Sequence, residues 1–212
     1  KLTEKCFASW RSSVSIEREQ EVAPPPKSSN YFFEKRDIGE TYLHFNYLTP
    51  GVKFEEENAA LGILSDYLGL GMSALLSQEL RERKKLVYGV FAHTAKYLDA
   101  GVFNINTSTK DPDKVREVVL GIMGKLKKDF NEKAVEAMRI KSINNYKLIN
   151  SVNSISTKPL GEEFILRNRM YTIDEHISVL EKVTADKLIE VTKKYLAPEN
   201  LFLVALGPQD IR

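Results

Sequence analysis

Arg81 and Tyr88 are the residues whose types and spacing most suggest chemistry. They lie seven positions apart in the stretch 69–88, which reads GLGMSALLSQELRERKKLVY. An arginine offers a rigid fork of donors that suits a carboxylate or peptide carbonyls. A tyrosine hydroxyl can donate to a carbonyl or to an oxyanion. Gly69 and Gly71 interrupt an apolar run ahead of a short helical segment, and residues 86–91 then turn strand-like. Arg81 and Tyr88 therefore fall near the two ends of one tight connection. Two readings follow from the residues alone. Either the pair grips a ligand at a glycine corner, or a solvated helix-end arginine stands beside a core tyrosine.

Other chemistries find less support. The histidines are His44, His93 and His176. None lies in His-x-x-Glu-His, in its inverse, or in a pair at helical spacing, so no local zinc site can be drawn. Glu175-His176 reads as a solvated or capping pair at a helix start. His44 and His93 read as structural strand residues, and only the fold could bring the three histidines together. No Gly-x-Ser-x-Gly elbow supplies a nucleophile. Gly69-Leu70-Gly71 lacks the Gly-Lys-Ser/Thr ending of a phosphate loop. The single cysteine, Cys6, excludes an internal disulfide and a cysteine-rich metal site, and it reads as packed on an apolar helical face. The basic cluster Arg81, Arg83, Lys84, Lys85 is interleaved with Glu79 and Glu82, and the net charge is only +2. Both argue against nucleic acid as a partner. No apolar run approaches the roughly 18 residues of a membrane span, and no signal peptide is visible. A soluble protein is expected, with cytoplasmic and organellar settings both open.

The elements that must position the pair can be read in order. At 212 residues, 42% hydrophobic and 28% charged, the chain has an ordinary composition for one domain with a real core. Residues 1–10 read as the end of a helix, with Leu2, Cys6 and Phe7 on one face and Trp10 over it. Residues 11–30 read as a linker, because Pro24-Pro25-Pro26 forbids helix. The main body is expected over 31–212. Strands are predicted at 31–36, 41–49, 87–92, 102–109 and 201–206. In 41–49, Leu43, Phe45 and Tyr47 alternate with His44 and Asn46. The continuous apolar run 201–206 predicts a strand buried on both faces. Helices are predicted over 55–68, from Asp111 as N-cap with Pro112 at the first position, over 131–149 and over 159–171. Two more start at a Thr172–Glu175 capping box and at Thr184. Strands and helices are grouped more than alternated, which predicts an α+β fold: a largely antiparallel sheet packed on one side by helices.

Residues 68–90 resemble the second-half signature of the pitrilysin/insulinase-type (inverzincin) zinc metallopeptidases. That signature is roughly Leu-Gly-Gly-Gly-x-Ser-Ser-Arg-Leu-Phe-x-x-Leu-Arg-Glu-x-x-Gly-Leu-Ala-Tyr-Ser-Val. The likeness extends to Tyr47-Leu48-Thr49-Pro50-Gly51, to Val183-Thr184-Ala185-Asp186, to Lys193-Lys194-Tyr195-Leu196 and to Pro198-Glu199-Asn200. The resemblance implies the C-terminal, non-metal-binding domain of such a peptidase, half of a two-domain clam-shell that encloses a chamber. It implies that Arg81 holds the substrate backbone and that Tyr88 helps to polarise the scissile carbonyl. Zinc would belong to an N-terminal catalytic domain or partner subunit, and none to this chain. Unfolded peptide would be the substrate, with a homodimer or heterodimer as the assembly. The chain would be inactive alone, a fragment without that catalytic domain and without its own domain's first strand. Leu70, Ala74 and Lys85 depart from the signature's glycine, serine and glycine. A structural or subunit-pairing member of the family and a general peptide-binding module are the rival expectations.

Overall fold

A computed structural model describes residues 2–9, 30–128, 130 and 132–211. Its five strands are β1 (Asn30–Lys35), β2 (Thr41–Pro50), β3 (Val90–Lys96), β4 (Ala100–Thr109) and β5 (Leu201–Gly207). They form one sheet in the order β1-β5-β2-β4-β3. Every neighbouring pair is antiparallel except β1 with β5. The helices are α1 (Leu2–Phe7), α2 (Glu55–Gly69), α3 (Pro112–Leu126), α4 (Glu132–Asn150), α5 (Asn153–Arg167), α6 (Ile173–Glu181) and α7 (Ala185–Tyr195). A π-helical segment spans Ser77–Arg83. The fold is α+β, as the grouping of elements predicts.

Period-two alternation decides which face of the sheet is covered. Leu43, Phe45 and Tyr47 of β2 are buried beside Phe103 and Ile105 of β4. They join α2 through Ala60, Ile63 and Leu64, α3 through Val115 and Val119, and α7 through Leu188 and Val191 in one core. The opposite face carries Tyr42, His44, Asn46 and Leu48 of β2 and Phe91 and His93 of β3, and it stays open or half-buried. β5 corrects an expectation. Leu201, Leu203 and Ala205 are buried, but Phe202 is 37% exposed and Val204 and Leu206 are intermediate. The strand is interior to the sheet, yet among the described residues helices cover one face only, so its continuous apolar run does not mean two buried faces.

Other boundaries shift for local reasons. α5 begins at Asn153 and runs through Pro159, rather than starting there. β3 begins at Val90, because 84–89 is a loop tied to β4. Asp111 is the N-cap of α3, but its carboxylate makes no capping bond and instead accepts from Lys114 Nζ at 3.3 Å. The capping box at Thr172 and Glu175 forms in both directions. Cys6 and Phe7 are exposed on the six-residue α1, so the expected packing of Cys6 fails: under two turns of helix present these side chains to solvent. Trp10 and the linker lie outside the described residues, except that Asn30 opens β1.

Candidate functional site

The glycine corner exists because two close constraints meet there. At the end of α2 a Cβ on Gly69 would lie 2.1 Å from the backbone nitrogen of Ala92 in β3, so only glycine lets the helix cross the strand. Gly71 has φ +75°, a left-handed conformation that costs an L side chain about 1–2 kcal/mol. Leu70 between them is extended, at φ −86° and ψ 103°, so a side chain at this signature glycine position is accommodated. Ala74, where the signature has serine, is fully buried.

From the corner the chain enters the π-helical turn. Gln78 Nε2 donates back to Met72 O at 2.8 Å, and Leu76 and Leu80 anchor the turn in the core. The turn closes through Lys85, whose φ is +54°, with Leu86 N donating to Leu80 O at 2.8 Å. This is the left-handed closure that glycine usually makes at a helix end. It explains physically why the signature has glycine where this chain has Lys85.

The loop that follows hangs from β4 by two buried threonines. Thr109 Oγ1 donates to Leu86 O and Thr107 Oγ1 to Gly89 O, each at 2.7 Å. Val87 points into the core between them. Tyr88 therefore points outward and is 87% exposed, which rules out the core-tyrosine alternative. The Arg81 guanidinium lies 5.5 Å from the centre of its ring, within cation–π range. Arg81 also meets Glu82 at 3.5 Å, and Arg83 pairs with Glu79, so acidic neighbours engage two members of the basic cluster. The fold thus brings Arg81, Tyr88 and the glycine corner to one exposed end of the β3–β4 hairpin. Chain spacing placed these residues; the tethering roles of Thr107, Thr109 and Gln78 carried no local signal.

The histidines do not converge. His44 and His93 lie on the open face, where Asn104 Nδ2 approaches His44 Nδ1 at 3.4 Å and donates to Asn46 Oδ1 at 2.6 Å. Burial and then the neighbouring His93 hold His44 below its usual 6.5. His176 is on the helical side. Its ring packs between Tyr146 and Tyr171 and meets Glu163 at 3.1 Å, so it pairs with a carboxylate instead of capping α6. It lines a cavity of about 300 Å³ among α2, β3, α4 and α6, where Arg167 meets Glu55 at 2.7 Å. Among the described residues no group of three His, Cys, Asp or Glu side chains could hold a metal ion. The described residues therefore do not by themselves supply a zinc centre. No helix among them is long and apolar enough to cross a membrane.

The described residues thus build an α+β sheet domain with a polar pair, Arg81 and Tyr88, at one corner. The family model described as the peptidase M16 inactive domain matches residues 1–141, and the chain belongs to that family. It is the pitrilysin/insulinase-type family that residues 68–90 resemble. A protein from Rickettsia bellii named as a zinc protease is 20% identical over 203 residues, which cover 94% of this chain and 49% of that protein. The crystal structure of a protease from Helicobacter pylori superposes with a TM-score of 0.86 at 20% identity, over 98% of this chain and 51% of its own. A peptidase M16 inactive domain from Pseudomonas fluorescens superposes with a TM-score of 0.74 at 17% identity, over 89% of this chain and 46% of its own. The chain spans about half the length of these relatives.

Proposed function

We propose that this chain is the substrate-binding half of a zinc metalloendopeptidase whose metal lies in an N-terminal domain or partner subunit of the same family. The two halves close as a clam-shell around an unfolded peptide. The observation that carries this reading is the Arg81–Tyr88 pair: seven residues apart, held together at an exposed corner, with the guanidinium 5.5 Å from the ring. Arg81 directs its donors at the backbone carbonyls of the peptide and fixes its register. Tyr88 donates its hydroxyl hydrogen to the scissile carbonyl oxygen as negative charge develops there. The zinc-protease names of the relatives support a metal in the other half.

The test is made on the complete protein, this chain joined to or mixed with its metal-bearing half. Tyr88→Phe removes one oxyanion donor and is expected to lower kcat about 100-fold. Arg81→Ala removes backbone binding and is expected to raise KM. Chelator abolishes activity, and this chain alone has none. Unchanged activity in both variants, or a partner half without histidine and glutamate ligands, leaves a subunit-pairing protein as the surviving reading.

A further inference from the structure

The C-terminus of α2 lacks the cation that would balance it. Its last turn contains no basic residue and carries Asp66, an acid at the negative end of the helix dipole. The cation comes from another helix. Lys141 of α4 reaches across and donates from Nζ to Leu70 O at 2.6 Å and to Asp66 O at 3.4 Å. Leu70 is the middle residue of the glycine corner, flanked by Gly69 against Ala92 and by the left-handed Gly71. From there Met72 O accepts from Gln78 Nε2, and Gln78 lies three residues ahead of Arg81 in the π-helical segment. Hydrogen bonds therefore tie the Lys141 ammonium to the corner and the corner to Gln78, and the backbone of the π-helical segment carries the constraint from Gln78 to Arg81.

We propose that Lys141 is a positioning residue for substrate binding: by holding the Leu70 carbonyl it fixes the glycine corner and, through the π-helical turn, the direction of the Arg81 guanidinium. This inference rests on the substrate-binding reading of Arg81. An ammonium has three donors, and Lys141 commits two of them to carbonyls at the end of α2, Asp66 O in its last turn and Leu70 O at its C-cap, a geometry that a methylene chain of equal length cannot reproduce. Partial burial holds Lys141 below the ordinary lysine value, with the Asp66 carboxylate opposing the shift.

The test uses the complete peptidase and four single variants, Lys141→Arg, Lys141→Gln, Lys141→Met and Arg81→Ala, with kcat and KM measured well below the unfolding temperature. Misplacing a binding group by about 1 Å can cost up to 100-fold; acting at one remove, Lys141→Met is expected to raise KM about 10-fold with kcat within twofold. Lys141→Arg, which keeps donors on a long stem, restores wild-type KM. Lys141→Gln falls between and carries the test if the methionine variant does not fold. The deciding measurement is the double variant: on the Arg81→Ala background, Lys141→Met or Lys141→Gln has no further effect on KM. If Arg81→Ala itself leaves KM unchanged, the substrate-binding reading fails. If Arg81→Ala raises KM while the Lys141 variants do not, or if their effects multiply, that reading stands and the positioning role is overturned.

Discussion

Alanine at Gly69 is expected to destabilise the protein, while alanine at Gly62 of the same helix stabilises it. Both glycines lie in α2, where replacing glycine by alanine ordinarily gains about 0.5–1 kcal/mol. At Gly62 a Cβ would meet nothing within 4 Å, so the full gain is expected. At Gly69 the same atom would lie 2.1 Å from Ala92 N and 2.8 Å from Ala92 Cα. To restore ordinary contact, α2 and β3 must part by roughly 1 Å, and a backbone neighbour cannot rotate away as a side chain can. Overpacking of this kind costs about 1–3 kcal/mol, occasionally more. A backbone approach of 2.1 Å belongs at the top of that range, so with the propensity gain subtracted Gly69→Ala is expected to lose about 2 kcal/mol. In a domain of this size each kcal/mol moves Tm by about 2–4 °C. Gly69→Ala should therefore melt about 4–8 °C below the wild type, and Gly62→Ala about 1–4 °C above it. Urea titrations followed by far-ultraviolet circular dichroism, with thermal melts beside them, measure both. A Gly69→Ala midpoint at or above that of the wild type would refute the claim that this glycine exists for the helix–strand crossing.

Two further outcomes follow from the same region and from the open sheet face. Lys85→Gly relieves a left-handed lysine at φ +54° and is expected to stabilise by about 1 kcal/mol, the side-chain penalty less glycine's entropy; a loss of stability in urea would show that the lysine side chain contributes more than its backbone costs. His44, held below 6.5 by burial and by His93, favours its neutral form in the native state. Its contribution is therefore complete above pH 6.5 and is lost as pH falls through its lower native value. Relative to His44→Gln, which does not titrate, the wild type should weaken only over that acidic window. Stability curves that stay parallel from pH 8 to pH 5 would contradict this.

The sheet was legible because alternation has one physical cause. Leu43, Phe45 and Tyr47 face helices and His44 and Asn46 do not, and period two records this directly. Capping was legible where a side chain must satisfy a particular orphan N–H, as at Thr172 and Glu175. β5 misled because a run of six apolar residues has the same appearance whether two faces are covered or one. The corner was legible only in part. Spacing and glycine placement flagged Arg81 and Tyr88, but the ties that fix them are long-range. Thr107, Thr109 and Lys141 lie 18 to 75 positions from the backbone atoms they hold, and nothing local in a sequence marks a threonine or a lysine as bound to a distant carbonyl. The outward turn of Tyr88 depends on those ties, so both tyrosine readings were open before the fold was known.

The threonine tethers have a consequence for how the corner acquires its dimensions. Thr107 sits opposite Leu43 on one side and Val90 on the other, and Thr109 opposite Thr41. A strand advances about 3.4 Å per residue, and a slip of one residue would turn every buried side chain outward. The smallest slip that keeps the core intact is two residues, and it would carry the tyrosine about 7 Å along the strand. The hydrophobic alternation of β2 and β4 thus acts as a ruler with coarse graduations: it permits the correct setting or a grossly wrong one, and nothing between. Calibration of the corner is then delegated to the interior of the sheet. Tyr88 can sit in solvent and still be placed reproducibly each time the chain folds.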